Sequence, residues 1–142
     1  MRNRIVAVTA AMLALAVVGA CSSDKQPNHP SQASVTINGT TVASKQRVTC
    51  VQQQWRWTIN IGDQNVAGAK ALVSNTDGNM VADSVHIRNL GGFTGMYAAH
   101  DGGSANVSFS SETFTITGKA QGYSSYKSGE PAEATFKIVA TC

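Results

Sequence analysis

The chain is 142 residues long, enough for one small domain, and its 11 Lys and Arg against 8 Asp and Glu give a formal charge of +3. Arg2 and Arg4 lie in the N-terminal leader, so the rest of the chain is nearly neutral, with nine basic residues against eight acidic ones. Most of those basic residues are scattered (Lys45, Arg47, Arg56, Lys70, Arg88, Lys119, Lys127, Lys137), which excludes the clustered stripe that nucleic-acid binding or polybasic membrane recruitment requires.

The leader comes first in chain order. Arg2 and Arg4 supply a positive n-region, Ile5 to Val18 is apolar apart from Thr9, and Val18-Gly19-Ala20 brings small residues up to Cys21. A run of about 14 apolar residues is short of the roughly 20 that a spanning helix needs, so residues 1–20 read as a cleaved secretory signal. A cysteine directly after Val-Gly-Ala looks like a lipobox, which makes Cys21 the lipidation site and first mature residue. The alternative is a cysteine that merely follows an ordinary cleavage point. Two or more acyl chains, at about 0.8 kcal/mol per buried methylene, would form a stable membrane anchor.

Residues 21–34 carry Pro27 and Pro30 and few apolar side chains, and read as a solvated tether. From Val35 the sequence alternates in short runs broken by Gly, Asn and Asp, which assigns residues 35–142 to one β-rich domain. Val35-Thr36-Ile37 and Thr40-Thr41-Val42 flank Asn38-Gly39, a hairpin signal. Val48 to Val51 is a β-branched run, and Trp55, Trp57, Ile59 and Ile61 alternate with Arg56, Thr58 and Asn60, so both tryptophans read as sharing a core face, with an exposed sugar platform or lipid-facing wedge as the alternative. Asn65 to Val73 is Ala-rich and reads as either a short helix or an irregular connection.

Thr76-Asp77-Gly78-Asn79 predicts a turn. Val81 to Leu90 then places Val85 and Ile87 on one face with His86 and Arg88 on the other. Gly91 to Gly103 is dense in glycine and predicts a bulge or bend around Phe93 to Ala98. Val107 to Phe109 and Phe114 to Thr117 form a second hairpin, Gln121 to Pro131 a loop, and Phe136, Ile138 and Ala140 the inner face of a last strand. Seven to nine short strands favour an all-β fold, a small antiparallel β-sandwich or flattened barrel.

Cys50 and Cys142 remain once Cys21 is assigned. In an exported chain an even pair reads as one disulfide, whereas two free thiols or a metal site find no supporting ligand spacing. Closing a loop of about 93 residues corresponds to roughly 4.5 kcal/mol in the chain-entropy picture. The bridge demands that Val48 to Val51 and Phe136 to Thr141 lie near one another.

No catalytic, cofactor-binding or metal site is expected. His86, His100, Asp83, Asp101, Glu130 and Glu133 stand at no known ligand spacing, and His86 reads as a solvated strand residue. Gly122-Tyr123-Ser124-Ser125-Tyr126 lacks the second glycine of a nucleophile elbow, and Gly91-Gly92-Phe93-Thr94-Gly95 lacks the basic residue and helix of a phosphate loop. Asn38-Gly39-Thr40 and Asn106-Val107-Ser108 match the glycosylation sequon but read as ordinary turn and strand chemistry.

Taken in order, Val18-Gly19-Ala20-Cys21-Ser22-Ser23, Ile37-Asn38-Gly39, Val48-Thr49-Cys50, Trp57 to Gly62, Thr76 to Asn79, Phe114 to Ala120 and Phe136 to Cys142 resemble the mycobacterial 19 kDa lipoprotein antigen family across the whole mature chain. The resemblance implies an acylated, palmitate-bearing lipoprotein of the cell membrane, on its extracytoplasmic face in the mycobacterial envelope. It also implies an antigen sensed by host Toll-like receptor 2 through its lipid, with no enzymatic role. A non-enzymatic display or interaction module is the leading reading, with no nucleic-acid partner and no small-molecule ligand expected. A lipid or glycolipid carrier holding its cargo inside the sandwich is the alternative, and about 108 structured residues leave little core to give up for a cavity.

Overall fold

The computed structural model describes residues 31–101 and 103–142. The expected signal peptide and the expected lipidation site at Cys21 therefore lie outside the described residues. The elements are β1 (Gln32–Ile37), β2 (Thr40–Gln53), β3 (Arg56–Asp63), β4 (Ala67–Thr76), β5 (Asn79–Leu90), β6 (Phe93–Ala98), β7 (Ala105–Ser110), β8 (Thr113–Ser124) and β9 (Lys127–Thr141). The first strand starts at Gln32, so it takes three residues that the sequence pattern assigned to the tether.

Tight turns do what their residues dictate. Asn38 and Gly39 take φ of 49° and 78°, and Asp77 and Gly78 take 53° and 83°, the left-handed backbone that a two-residue hairpin needs. Asn38 also reaches across the sheet, where its Oδ1 accepts the Thr135 backbone N–H at 3.0 Å.

All neighbouring strands are antiparallel, in the order β6-β5-β4-β3-β2-β1-β9-β8-β7, and an additional β6–β8 pairing closes the sheet on itself. The flattened barrel is thus realised rather than an open sandwich. β6 and β7 act as two halves of one stave, because β7 pairs with Thr113 to Gly118 of β8 and β6 with Gln121 to Ser124. At the closing seam Gly95 stands directly opposite Gly122. A Cβ on Gly122 would collide with the Thr94 carbonyl oxygen and the Gly95 Cα, and one on Gly95 would lie 2.5 Å from the Gln121 carbonyl oxygen. The glycine-dense stretch therefore permits close strand approach as well as bending.

The interior is filled by alternating large and small side chains. Ile61, Ala69 and Ile87 face one another across β3, β4 and β5, as do Ile59, Ala71 and Val85, and all six are at most 2% exposed. That layering corrects the expectation of a helix or irregular connection over Asn65 to Val73. The alanines are helix formers by propensity, but here they supply the small positions between isoleucines and valines, and tertiary packing overrides propensity. The expected loop over Gln121 to Pro131 is corrected too: β8 runs to Ser124, Ser125 and Tyr126 turn, and β9 begins at Lys127. Pro131 is tolerated because β1 pairs with β9 only from Phe136 to Ala140, leaving no ladder partner on that side of Pro131.

Cys50 and Cys142 form a disulfide with Cα atoms 5.8 Å apart. Their segments are close without being hydrogen-bonded neighbours, since β1 lies between β2 and β9. β1 begins opposite Arg47, so Val48 to Gln53 of β2 have no β1 partner and Cys142 swings across the gap.

Two stability predictions follow from these contacts. Cys142→Ser should lower the unfolding free energy in urea by about 2–4 kcal/mol, and an unchanged midpoint would show that the bridge does not constrain the chain. Gly122→Ala should cost about 2–3 kcal/mol through overpacking at the seam, with accelerated amide exchange in β6 as the accompanying local signature.

Candidate functional site

The outer wall of β4, β5, β6 and β8 carries an open groove of about 880 Å³. Its floor follows from the alternation of each strand. Ala69, Ala71, Val85, Ile87 and Tyr97 turn inward, which turns Lys70, Leu72, His86, Arg88 and Met96 outward. Register then aligns them: Lys70 stands opposite His86, His86 opposite Met96, and Arg88 opposite Gly68 one row below. Lys70, His86 and Arg88 are all exposed, Met96 is 42% exposed and Tyr123 from β8 is 56% exposed.

The groove is walled at one side by the β3–β4 turn. The Gln64 side chain donates to the carbonyls of Ile61 at 3.0 Å and Ala69 at 2.8 Å, folding that turn back and placing Val66 at the rim. None of the lining residues is an Asp or Glu. Asp63, beside the rim, accepts the Asn65 backbone N–H at 2.8 Å, and two further carboxylates are held in ion pairs. Asp83, the extra residue of a bulge in β5, accepts a hydrogen bond from Ser74 Oγ at 2.8 Å and lies 3.5 Å from Arg56 Nε. Glu133 pairs with Lys119 at 3.2 Å and accepts a hydrogen bond from Gln121. The Lys119 and Gln121 hydrogen bonds, with the Lys119 charge, hold the Glu133 carboxyl below the usual carboxylate range. That contact is therefore intact at neutral pH and is lost as pH falls through the lowered value.

The residues weighed as chemical candidates separate. His86 faces the groove beside Lys70, His100 is exposed in the turn after β6, and Glu130 lies exposed near the start of β9. Among the described residues no three His, Cys, Asp or Glu side chains gather as a group that could hold a metal ion. The groove offers cationic and amide donors beside apolar surface, which suits binding an anion.

The paired tryptophans are corrected. Trp57 packs against Phe114 at 5.2 Å and Phe109 at 6.0 Å between ring centroids, at one end of the core. Trp55 instead falls in the β2–β3 turn and is 60% exposed, because the hairpin reverses after Gln53 and breaks the alternation on which a shared face depended.

Residues 26–142 match the model of a family described as Mycobacterium 19 kDa lipoprotein antigen. A Mycobacterium indicus pranii protein named "Putative lipoprotein" is 45% identical over 142 residues, covering all of both chains. A second "Putative lipoprotein", from Mycobacterium avium subsp. hominissuis, is 44% identical over all of this chain and 97% of its own. "Probable lipoprotein LppE" of Mycobacterium tuberculosis is 32% identical with full coverage of both.

The two tryptophans make a paired test of the packing. Trp57→Ala should lower the unfolding free energy by about 2–3 kcal/mol, and Trp55→Ser should change it by less than about 0.5 kcal/mol. Equal losses in chemical denaturation would mean that both rings belong to the core.

Proposed function

The chain belongs to the Mycobacterium 19 kDa lipoprotein antigen family, and on that premise we propose that it is a non-enzymatic display or interaction module held on the extracytoplasmic face of the cell membrane by an acylated Cys21. Residues 1–20 are its signal peptide, residues 21 to about 31 its tether, and the barrel the part it presents. The acyl group is what a host Toll-like receptor 2 senses.

The observation that carries this reading over a lipid carrier is the filled interior. Val35, Ile59, Val73, Val85, Phe114 and Ile138 are all 0% exposed, and they meet in one continuous cluster. Native packing of that kind leaves no room for an acyl chain between the walls, and opening it would sacrifice core contacts that a small domain needs. The dispersal of His86, His100 and the carboxylates supports the non-enzymatic reading.

Cys21→Ala should abolish retention in the detergent phase while leaving the barrel folded, since Cys21 lies outside the β pattern and its acyl chains are the anchor. Phase partitioning followed by circular dichroism checks both halves, and a variant that partitions like wild type overturns the anchor. A lipid-free preparation should likewise fail to stimulate the receptor in a reporter-cell assay, and undiminished stimulation would locate recognition in the barrel.

A further inference from the structure

The outer groove has a feature that its sequence conceals. Lys70, His86 and Arg88 are spread over 19 positions of chain, yet strand register gathers them on one wall. Lys70 and His86 are direct cross-strand partners, and Arg88 lies in the adjoining row of the same outer face. Lys70 and Arg88 bring two cations into adjoining rows, where a sheet ordinarily supplies an opposite charge. Here no Asp or Glu lines the groove. Following the row Lys70, His86, Met96, Gln121, Glu133 across the strands, the acid that it reaches is bound to Lys119. Neither Lys70 nor Arg88 makes an ion pair among the described residues. Two cations without an ion pair on one concave surface favour an anionic occupant.

The same surface is also apolar. Leu72 is half-buried in the floor, Met96 and Tyr123 are largely open, and Val66 at the rim is 65% exposed. A bare inorganic anion would gain nothing from this flank, whereas a ligand with an anionic head and an apolar body would use both. The volume of about 880 Å³ is within the range of sites for ligands of a few hundred daltons. The membrane is within reach as well. Ten residues, 22–31, separate Cys21 from Gln32, and at full extension they span about 35 Å.

We infer that this groove binds the headgroup of an anionic phospholipid. The phosphate lies against Lys70, His86 and Arg88, and the first part of the apolar body lies along Leu72, Met96 and Tyr123. Arg88 supplies a planar fork of donors for phosphate oxygens, and Lys70 a compact charge beside it. The barrel interior takes no part, so the lipid is held at the surface rather than enclosed. This rests on the reading of the barrel as a non-enzymatic interaction module and names the ligand class of its groove.

The test uses the full acylated protein in neutral-detergent micelles with equimolar dioleoyl-phosphatidylglycerol and dioleoyl-phosphatidylcholine, and counts retained lipid by native mass spectrometry. One phosphatidylglycerol per protein, favoured at least tenfold over phosphatidylcholine, is expected. Lys70→Glu and Arg88→Glu should each reduce that preference at least tenfold, and Lys137→Glu, the same charge change on an exposed residue of β9, should leave it intact. Equal retention of both lipids, or a preference that survives Lys70→Glu and Arg88→Glu, would overturn the inference alone. Displacement of the lipid by an equal concentration of glycerol phosphate would overturn the assignment of the apolar flank. Conversion of the bound lipid to lysolipid would overturn the non-enzymatic reading, and this inference with it.

Discussion

Two facing glycines decide the shape of this protein. Gly95 and Gly122 meet where β6 closes onto β8, and a side chain on either would strike backbone, which cannot yield as a flexible side chain can. Without that approach β6 would be an exposed edge, and the β5–β6 hairpin would lose one of its two flanking ladders. With it, the hairpin is pinned between two strands and the sheet has no free edge along this half of the wall. The groove is a direct consequence, since closure at this seam carries Tyr123 of β8 to the side of Met96 and His86.

The rest of the architecture accommodates that closure. Strong curvature in a barrel of this size leaves little volume inside, and the alternation of isoleucine with alanine across β3, β4 and β5 fits side chains into it. Curvature also demands breaks in the ladders. β2 bends at Lys45, with φ of 51°, so that its first half serves β1 and its second half serves β3. β5 bulges at Asp83, which turns that carboxylate toward Arg56 and Ser74. The disulfide sits where β1 is too short to cover β2, joining Cys142 to a stretch of strand paired on its other side with β3 alone.

Anchor and groove divide the molecule's work. Membership of a lipoprotein antigen family implies association with the cell envelope, and the proposed tether would keep the barrel at a lipid surface. A packed barrel beside a bilayer has its walls and its ends to offer a partner. The wall of β4 and β5 places two cations without an ion pair, Lys70 and Arg88, on one concave surface, which makes it a natural place for contact with an anionic neighbour.

Much of this was legible from the sequence alone, because it depends on local chemistry. The all-β class, the Asn38-Gly39 and Asp77-Gly78 turns, and the inward faces of Val85 with Ile87 and of Phe136, Ile138 and Ala140 follow from residue type and short-range period, and the pairing of Cys50 with Cys142 follows from cysteine count. Tertiary structure decided what depends on which strands meet. Ala69 and Ala71 belong to a strand because isoleucines and valines face them from both sides. Trp55 leaves the core because the turn extends through it and β3 begins one residue later than alternation implies. Lys70, His86 and Arg88 look scattered because charge clustering in a sheet is set by register between strands, a two-dimensional property that a linear chain does not display.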